Sequence, residues 1–271
     1  MTKTTVAVAS DVELIPDTLA CLIAKANLPL VNADSKDSDL LLVQTVQRLE
    51  LRQTGKNTTG PVYADFVTGK AAYRRAQGIG KKQPIAKAVG VKPNTFPSMI
   101  DATAGLGQDA LLLATLGCQV RLIERSPIIA ALLSDALQRA LADVATAEIA
   151  QRMRLIQADA GDFLGNLDTL EQPDVIYLDP MFPKRNKSAL VKKEMQLFQL
   201  LLDSNDSGDD LLAIALNHAK QRVVVKRPSK APYLAGIKPN LQFNAGKIRF
   251  DVYLINDYFS KKNTQCRVDK R

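Results

Sequence analysis

The sequence predicts an α/β protein with a doubly wound, mostly parallel sheet whose last strand is antiparallel, preceded by a small α+β appendage. From about Pro97 onward, short apolar runs alternate with amphipathic stretches of helical length. This alternation is typical of a parallel sheet covered by helices on both faces. Acidic residues follow several of the apolar runs, at the strand ends where open α/β sheets bind their ligands. With 271 residues, 46% of them hydrophobic, the chain is long enough to bury such a core.

The elements of the main sheet are assigned from hydrophobic periodicity. Only a turn-like Asn244-Ala245-Gly246 separates the last two apolar runs, which predicts an antiparallel hairpin there. The predicted strands are residues 98–101, 119–124, 153–157, 174–179, 222–226, 241–243 and 248–255. The predicted helices are residues 108–116, 128–141, 163–170 and 211–219.

The N-terminal part of the chain has a different pattern and is interpreted as a separate small unit. We predict a subdomain and linker over residues 1–80, a main domain over residues 81–256 and a basic, disordered tail over residues 257–271. Residues 78–84, rich in glycine and lysine, are the predicted linker. Within the subdomain we predict strands at residues 6–8, 40–43 and 62–66, a mixed segment at residues 47–51 and a helix at residues 15–26.

Positive charge is concentrated in three stretches of the chain. The net charge is +8, and residues 218–271 contain 13 Lys and Arg against 3 Asp and Glu. Residues 70–92 contain seven basic residues and no acid, and residues 184–193 contain five and no acid. Lysine and arginine neutralise phosphates and release counterions, so the pattern suggests a polyanionic partner such as nucleic acid. Solvated surfaces would give the same pattern, and that alternative stays open.

Composition also limits the class of protein. No apolar stretch approaches the ~20 residues of a membrane helix, and the N-terminus lacks the pattern of a secretion signal. The cysteines Cys21, Cys118 and Cys266 are scattered, and His218 is the one histidine. We therefore expect a cytoplasmic protein with neither a metal site nor a disulfide framework.

A glycine-rich turn between the first predicted strand of the main sheet and the following helix predicts a ligand site. Gly105 and Gly107 permit positive φ and close backbone approach, and the helix that follows offers free N–H groups. The spacing also fits a nicotinamide dinucleotide site, so it does not identify the ligand alone. Asp101 favours S-adenosylmethionine (SAM), because a carboxylate can hold the methionine ammonium but would repel a pyrophosphate.

Acids at the next two strand ends fit the rest of a nucleoside ligand. Glu124 lies 17 residues beyond Gly107 and can accept both ribose hydroxyls, in either cofactor interpretation. Asp159 can accept a hydrogen bond from an adenine amino group. The alternative for Asp159 is a helix N-cap, a role for which Asp162 is the better candidate by sequence.

The fourth strand of the main sheet ends in Asp179-Pro180-Met181-Phe182. An exocyclic amine on a nucleobase is a poor nucleophile, because its lone pair is delocalised into the ring. The Asp179 carboxylate and the Pro180 carbonyl can each accept one of its N–H groups, which directs the lone pair toward a methyl donor. Phe182 offers a ring on which the base can stack. The tetrapeptide alone could be a simple turn, but its place in line with the other strand ends predicts catalysis.

These motifs resemble the class I methyltransferases that modify exocyclic amines, and most closely the bacterial RsmJ family of 16S rRNA guanine-N2 methyltransferases. The resemblance runs from about Asp65 to Tyr253. The matching segments are Asp65-Phe66-Val67-Thr68-Gly69, residues 101–109, Glu124-Arg125, residues 177–183, residues 187–195 and residues 223–228.

The resemblance implies a Rossmann-like fold, SAM as the cofactor and the 2-amino group of a guanine in 16S rRNA or the small ribosomal subunit as the target. It implies cofactor contacts from Gln108 and Asp109, from Glu124 and Arg125, from Asp159 and Ala160, and from Asp179. Met181 replaces the second proline of the broader amino-methylating motif. Three alternatives stay open from the residues alone: a nicotinamide-dependent oxidoreductase, a non-catalytic RNA-binding protein on the same scaffold, and methylation of a protein or DNA amine. Lys226-Arg227-Pro228 ends a strand at the same edge of the sheet as Asp179 and is a candidate phosphate contact.

Overall fold

A computed structural model describes residues 4–13, 15–55, 60–69, 83–180, 197, 200–201 and 208–256. These residues include the glycine-rich turn and the acidic strand ends of the main sheet. Several predictions fall outside them and are not addressed by the structure. They are residues 78–82 of the linker, most of the basic stretch at 70–92, Met181 and Phe182, the basic stretch at 184–193 and the tail at 257–271.

The N-terminal residues form a three-stranded sheet with one helix. Strands β1 (Val6–Ser10) and β2 (Leu40–Gln44) pair in parallel, and β3 (Leu49–Gln53) pairs with β2 in the antiparallel direction. Helix α1 (Asp17–Ala26) lies between β1 and β2 in the chain and ends at a left-handed residue, Asn27. The predicted α+β character is confirmed for these elements.

The predicted strand at residues 62–66 is wrong. Only Val62 pairs with a strand, through an isolated antiparallel bridge to Leu51. The Asp65 carboxylate accepts hydrogen bonds from the backbone N–H groups of Val67 and Thr68, at 2.9 and 3.1 Å. Aspartate side chains that bond to the following backbone favour turns, so the chain bends here instead of extending.

The main sheet has seven strands. In chain order they are β4 (Met99–Asp101), β5 (Val120–Glu124), β6 (Met153–Gln157), β7 (Val175–Leu178), β8 (Arg222–Pro228), β9 (Leu241–Ala245) and β10 (Ile248–Leu254). Their order in space is β6-β5-β4-β7-β8-β10-β9. The first five are parallel, and β10 is antiparallel to both of its neighbours, which confirms the predicted hairpin and last strand.

Helices cover both faces of this sheet, as predicted. They are α2 (Pro84–Val89), α3 (Gln108–Thr115), α4 (Pro127–Ala142), α5 (Ala147–Ala150), α6 (Ala160–Gly165) and α7 (Asp209–His218), with 3₁₀ turns at Thr169–Glu171 and Leu234–Gly236. Alternate strand residues enter two apolar clusters. Val224 belongs to the cluster that contains residues of α2, α3 and α4, whereas Val223 and Val225 belong to the cluster that contains residues of α6 and α7.

The predicted helix at residues 163–170 begins too late. Asp159, not Asp162, is the N-cap, because its Oδ1 accepts hydrogen bonds from the N–H groups of Gly161 at 2.8 Å and Asp162 at 3.2 Å. The cap starts α6 at Ala160, and the helix ends at Gly165 before the separate turn at Thr169–Glu171.

The N-terminal sheet and the main sheet contribute to one apolar core. Leu51 of β3 and Phe66 lie in the same cluster of buried side chains as Leu133 of α4. Arg139 of α4 donates a 2.6 Å hydrogen bond from Nη2 to the Ala64 carbonyl, and its Nη1 lies 3.6 Å from Asp65 Oδ1. The segment that precedes residue 70 is therefore fixed to α4.

None of the helices in the described part of the chain has the length and apolar character needed to cross a bilayer. Among the same residues, no group of three His, Cys, Asp or Glu side chains is arranged to bind a metal ion.

Candidate active site

Parallel pairing brings the predicted acidic strand ends to one edge of the sheet. Asp101 closes β4 between Leu122 of β5 and Tyr177 of β7, and Glu124 pairs with Gln157 of β6. Asp159 and Asp179 follow the last residues of β6 and β7. The carboxyl edge of the sheet is therefore strongly acidic, as the sequence predicts.

The glycine-rich turn has the backbone conformation that the sequence predicts. Gly105 and Gly107 have φ values of 53° and 69°, a left-handed region that favours glycine. A Cβ built on Gly107 would lie 2.8 Å from Leu133 Cδ1 and 2.9 Å from Phe66 Cζ. A Cβ on Gly105 would meet no atom closer than the Thr103 carbonyl oxygen at 4.0 Å. Gly107 is thus packed against the core, whereas Gly105 faces open space.

Glu124 fixes this turn to the next helix. Its Oε2 accepts a 3.0 Å hydrogen bond from the Gly105 N–H, and its Oε1 accepts a 2.8 Å bond from the Ser126 N–H at the start of α4. The residue is only 7% exposed. Burial raises the pKa of Glu124, and the two backbone hydrogen bonds partly oppose this shift.

Asp101 is the most deeply buried acid of the edge, with 2% of its surface exposed. Its Oδ1 accepts a 3.1 Å hydrogen bond from the Thr103 N–H. Burial raises the pKa of Asp101 to about 8; the nearby charges of Asp109 and Asp179 also raise it, and Lys226 opposes them. At neutral pH this carboxyl is mostly protonated, so a cation placed against it would favour its ionised form.

Lys226 on β8 connects two of the acids. Its Nζ lies 2.7 Å from Asp109 Oδ2 and 2.8 Å from Asp179 Oδ2. Tyr177, which is fully buried on β7, donates a 2.7 Å hydrogen bond from its hydroxyl to the same Asp109 oxygen. Burial and the charge of Asp109 raise the pKa of Tyr177 well above its ordinary value, so its hydroxyl remains a donor.

The start of the Asp179-Pro180 motif is held on two sides. The Asp179 N–H donates a 2.6 Å hydrogen bond to Thr103 Oγ1, which links the end of β7 to the glycine-rich turn. Pro180 is buried, and a Cβ built on Gly208 would lie 2.7 Å from Pro180 Cβ. Gly208 has a φ of 74° and is the N-cap of α7. Phe182, the third predicted catalytic residue, lies outside the described residues.

This arrangement was compared with known proteins. A family model described as "Putative SAM-dependent methyltransferase" matches residues 22–255. The ribosomal RNA small subunit methyltransferase J of Nitrosococcus oceani is 52% identical over 215 residues, which cover 79% of this chain and 84% of that protein. The protein of the same description from Thioalkalivibrio sulfidiphilus is 45% identical over 254 residues, covering 94% of this chain and 99% of its own length. This chain belongs to the ribosomal RNA small subunit methyltransferase J family.

A solved structure supports the fold of the family. The crystal structure of a SAM-dependent methyltransferase from Neisseria gonorrhoeae superposes with a TM-score of 0.71 at 36% identity, covering 92% of this chain and 95% of that one. The fold is therefore that of a class I SAM-dependent methyltransferase. Membership of the methyltransferase J family makes the chain an enzyme with SAM as cofactor and decides against the nicotinamide and non-catalytic alternatives.

The residues at the carboxyl edge fit SAM. The open space above Gly105 leaves the backbone of the turn accessible, and the buried Asp101 carboxyl, which an adjacent cation would ionise, suits an ammonium group. Glu124 lies at the predicted ribose position, although both of its oxygens already accept backbone hydrogen bonds. The side chains of Gln108, Arg125 and Asp159 are exposed, and Ala160 is half-buried, all within segments that begin at this edge.

Three residues of the site were not among the sequence-predicted site residues, and a fourth, Lys226, was predicted in a different role. Tyr177 contacts Asp109, Thr103 contacts Asp179, and Gly208 packs against Pro180. Lys226 was predicted only as a phosphate contact, yet it pairs with carboxylates, and the neighbouring Arg227 donates to the Pro232 carbonyl. A sequence signal for Lys226 was its position at the end of the predicted strand at residues 222–226.

The raised pKa of Asp101 predicts a pH-dependent stability. An aspartate in the unfolded chain has a pKa of about 3.9, so between pH 4 and 8 the folded state retains a proton that the unfolded state has released. The free energy of unfolding should therefore fall as pH rises across this range, by on the order of 5 kcal/mol. Urea unfolding at pH 5 to 9 should show this slope in wild type and a much flatter profile in Asp101→Asn. Identical profiles would contradict the assignment.

The two glycines of the turn predict different effects of alanine. Both substitutions place alanine at positive φ, which costs about 1 kcal/mol. Gly107→Ala also forces Leu133 and Phe66 to move, so we expect a loss of about 2–4 kcal/mol. Gly105→Ala is the matched control, with little more than the backbone cost. Chemical denaturation of the two variants checks this order, and equal losses would show that the packing beneath Gly107 is unimportant.

Proposed function

We propose that this enzyme transfers the methyl group of SAM to the exocyclic 2-amino group of a guanine in 16S rRNA. The observation that carries the proposal is the Asp179-Pro180 pair at the end of β7, held beside the glycine-rich turn by Thr103. The relatives from Nitrosococcus oceani and Thioalkalivibrio sulfidiphilus, described as small-subunit rRNA methyltransferases, support the substrate class. We also propose that the enzyme acts in the cytoplasm, where ribosomal subunits are assembled.

The chemistry required of the chain is the activation of a weak nucleophile. When bound, SAM supplies an electrophilic methyl group. The Asp179 carboxylate and the Pro180 carbonyl accept the two N–H groups of the target amine, which concentrates electron density on the nitrogen lone pair. The contact between Pro180 and Gly208 limits movement of that carbonyl. A strong general base is not required, because the amine loses its proton after it has become cationic. We assign base stacking to Phe182.

The cofactor contacts are assigned along the carboxyl edge. We propose that Asp101 and the turn through Gly105 and Gly107 hold the methionine portion of SAM, and that Glu124 and Arg125 hold the ribose. The second carboxylate oxygen of Asp159 is the proposed acceptor for the adenine amino group, since Oδ1 caps α6. Gln108, Asp109, Ala160 and Asp179 complete the proposed cofactor set. Asp109 acts partly through its contacts with Tyr177 and Lys226.

We propose that the RNA backbone lies along the carboxyl end of β8 and the amino end of β10, which meet at the same edge of the sheet. Ser229 donates a 3.0 Å hydrogen bond to the Lys247 carbonyl, which joins the segment after β8 to the turn before β10. Buried Arg249 supports this junction by donating to the Pro228 and Ser229 carbonyls while paired with Asp251. The exposed lysines of the junction are Lys230 and Lys247. Lys230 is four residues after Lys226, at most about 14 Å along the chain.

The guanine target and the role of Asp179 are tested together in cells. Mapping of methylated guanines in 16S rRNA should show one N2-methylguanine lost when the protein is absent and restored by wild type. Asp179→Ala should restore less than about 1% of the methylation rate while RNA affinity changes less than threefold, because Asp179 acts on the amine rather than on phosphates. Full restoration by Asp179→Ala would reject its role. The absence of any lost N2-methylguanine would reject the proposed target.

The RNA path predicts the effect of two lysines. Lys230→Ala/Lys247→Ala should raise the KM for small-subunit RNA about tenfold, with kcat at saturating RNA unchanged. The slope of log affinity against log salt should decrease by about 1.4, since each phosphate contact to a single strand contributes about 0.7. Lys220→Ala/Lys238→Ala removes the same charge from exposed positions away from this junction and is the matched control. Equal effects of the two pairs would indicate only a general attraction and contradict this path.

A further inference from the structure

Lys226 links the proposed acceptor of the target amine to the helix behind the glycine-rich turn. Its Nζ lies 2.8 Å from Asp179 Oδ2 and 2.7 Å from Asp109 Oδ2. Asp109 Oδ2 also accepts the hydroxyl of Tyr177. A continuous series of contacts therefore runs from the centre of the sheet, through α3, to the first residue of the Asp179-Pro180 motif.

We propose that Lys226 is a positioning residue for methyl transfer, whose ammonium holds the Asp179 carboxylate as a charged acceptor for the target amine. This inference rests on the proposed function, because it gives Lys226 a role in the same step.

Strand geometry explains why the charge is placed there. Val225 pairs with Leu178 in the parallel ladder, so Lys226 lies one residue beyond the pair, beside Asp179. Strand side chains alternate between the two faces. Val224 and Tyr177 face the apolar cluster that includes residues of α3. Lys226 comes two residues after Val224, and Asp179 comes two residues after Tyr177, so both lie on that same face of the sheet. The ammonium therefore lies on the face from which Asp109 approaches.

The site requires a cation because acids from three elements converge on it. In the described part of the site, the titratable groups that bear on Asp179 and Lys226 are Asp101 on β4, Asp109 on α3 and Tyr177 on β7. Like charges in close proximity favour protonation of one member. A protonated Asp179 would present an O–H donor to the amine and lose part of its acceptor capacity.

The electrostatics keep Lys226 charged. Burial disfavours the ammonium, but the charges of Asp179 and Asp109 outweigh it and raise the pKa of Lys226 above its ordinary value. About 40% of the Asp179 side chain and 23% of the Lys226 side chain are exposed. Partly exposed ion pairs contribute little to stability. A role in the reaction therefore explains the arrangement better than a role in folding alone.

The test compares Lys226→Met, which removes the charge, with Lys226→Arg, which keeps it. Lys238→Met, at an exposed lysine outside the site, is the control. The ionisation of Asp179 is followed by carboxyl carbon NMR of aspartate-labelled protein, with its resonance assigned from Asp179→Asn. The rate of methyl transfer is then measured from pH 6 to 9.5, with saturating SAM and small subunits from cells that lack the protein.

In Lys226→Met, the Asp179 resonance should titrate so far above its wild-type position that only about one-tenth of the carboxyl is ionised at pH 7. Transfer at pH 7 should be at least about tenfold slower and should recover as pH rises to 9. Lys226→Arg should restore the Asp179 titration and most of the rate, and Lys238→Met should match wild type. An unmoved Asp179 titration, or a loss of rate that is the same at every pH, would overturn the proposal. If wild type fails to methylate small subunits, the proposed function is rejected, while the NMR titration still decides whether Lys226 controls Asp179.

Discussion

The parallel register of β6, β5, β4, β7 and β8 is the constraint on which the site depends. Parallel strands end at the same edge, so residues that are far apart in sequence become neighbours wherever their strands are adjacent in the sheet. Asp101 and Asp179 are 78 positions apart in the chain, yet Thr103 contacts both through its backbone N–H and its hydroxyl. The antiparallel β10 then brings Lys247 to the same edge by reversing direction. Every proposed contact with cofactor, amine or RNA follows from this arrangement.

Bringing these acids together creates repulsion, and the structure relieves it in a different way at each position. Asp101 is buried and remains mostly protonated at neutral pH, with a pKa of about 8. Glu124 accepts two backbone N–H groups, which stabilise its ionised form despite burial. Asp109 and Asp179 share the ammonium of Lys226. The three positions therefore differ chemically. Asp101 is a protonated acid that a cation can ionise, Glu124 is a fixed hydrogen-bond acceptor, and Asp179 is a charged acceptor held beside a lysine.

The sequence was sufficient to predict the sheet, its antiparallel hairpin and the position of the glycine-rich turn, because these depend on periodicity and local backbone preference. The sequence was insufficient where the partner of a side chain is determined by the three-dimensional fold. Asp159 was less favoured than Asp162 as a cap, since both precede helical residues and only the structure shows which carboxylate reaches the free N–H groups. Lys226 was assigned to phosphate because its charge is visible in sequence, whereas the two carboxylates that surround it come from another strand and a helix.

Phe66 connects the N-terminal unit to the main sheet, because it occupies the space beneath the glycine-rich turn. Its ring would contact any side chain placed on Gly107, and the segment that carries it is fixed by the Arg139 hydrogen bond to Ala64. Because Leu51 and Leu133 share the same apolar core, a displacement of the N-terminal sheet would disturb the floor of the turn. Tight packing transmits such strain, so we infer that the N-terminal sheet supports the geometry of the glycine-rich turn as well as the stability of the chain.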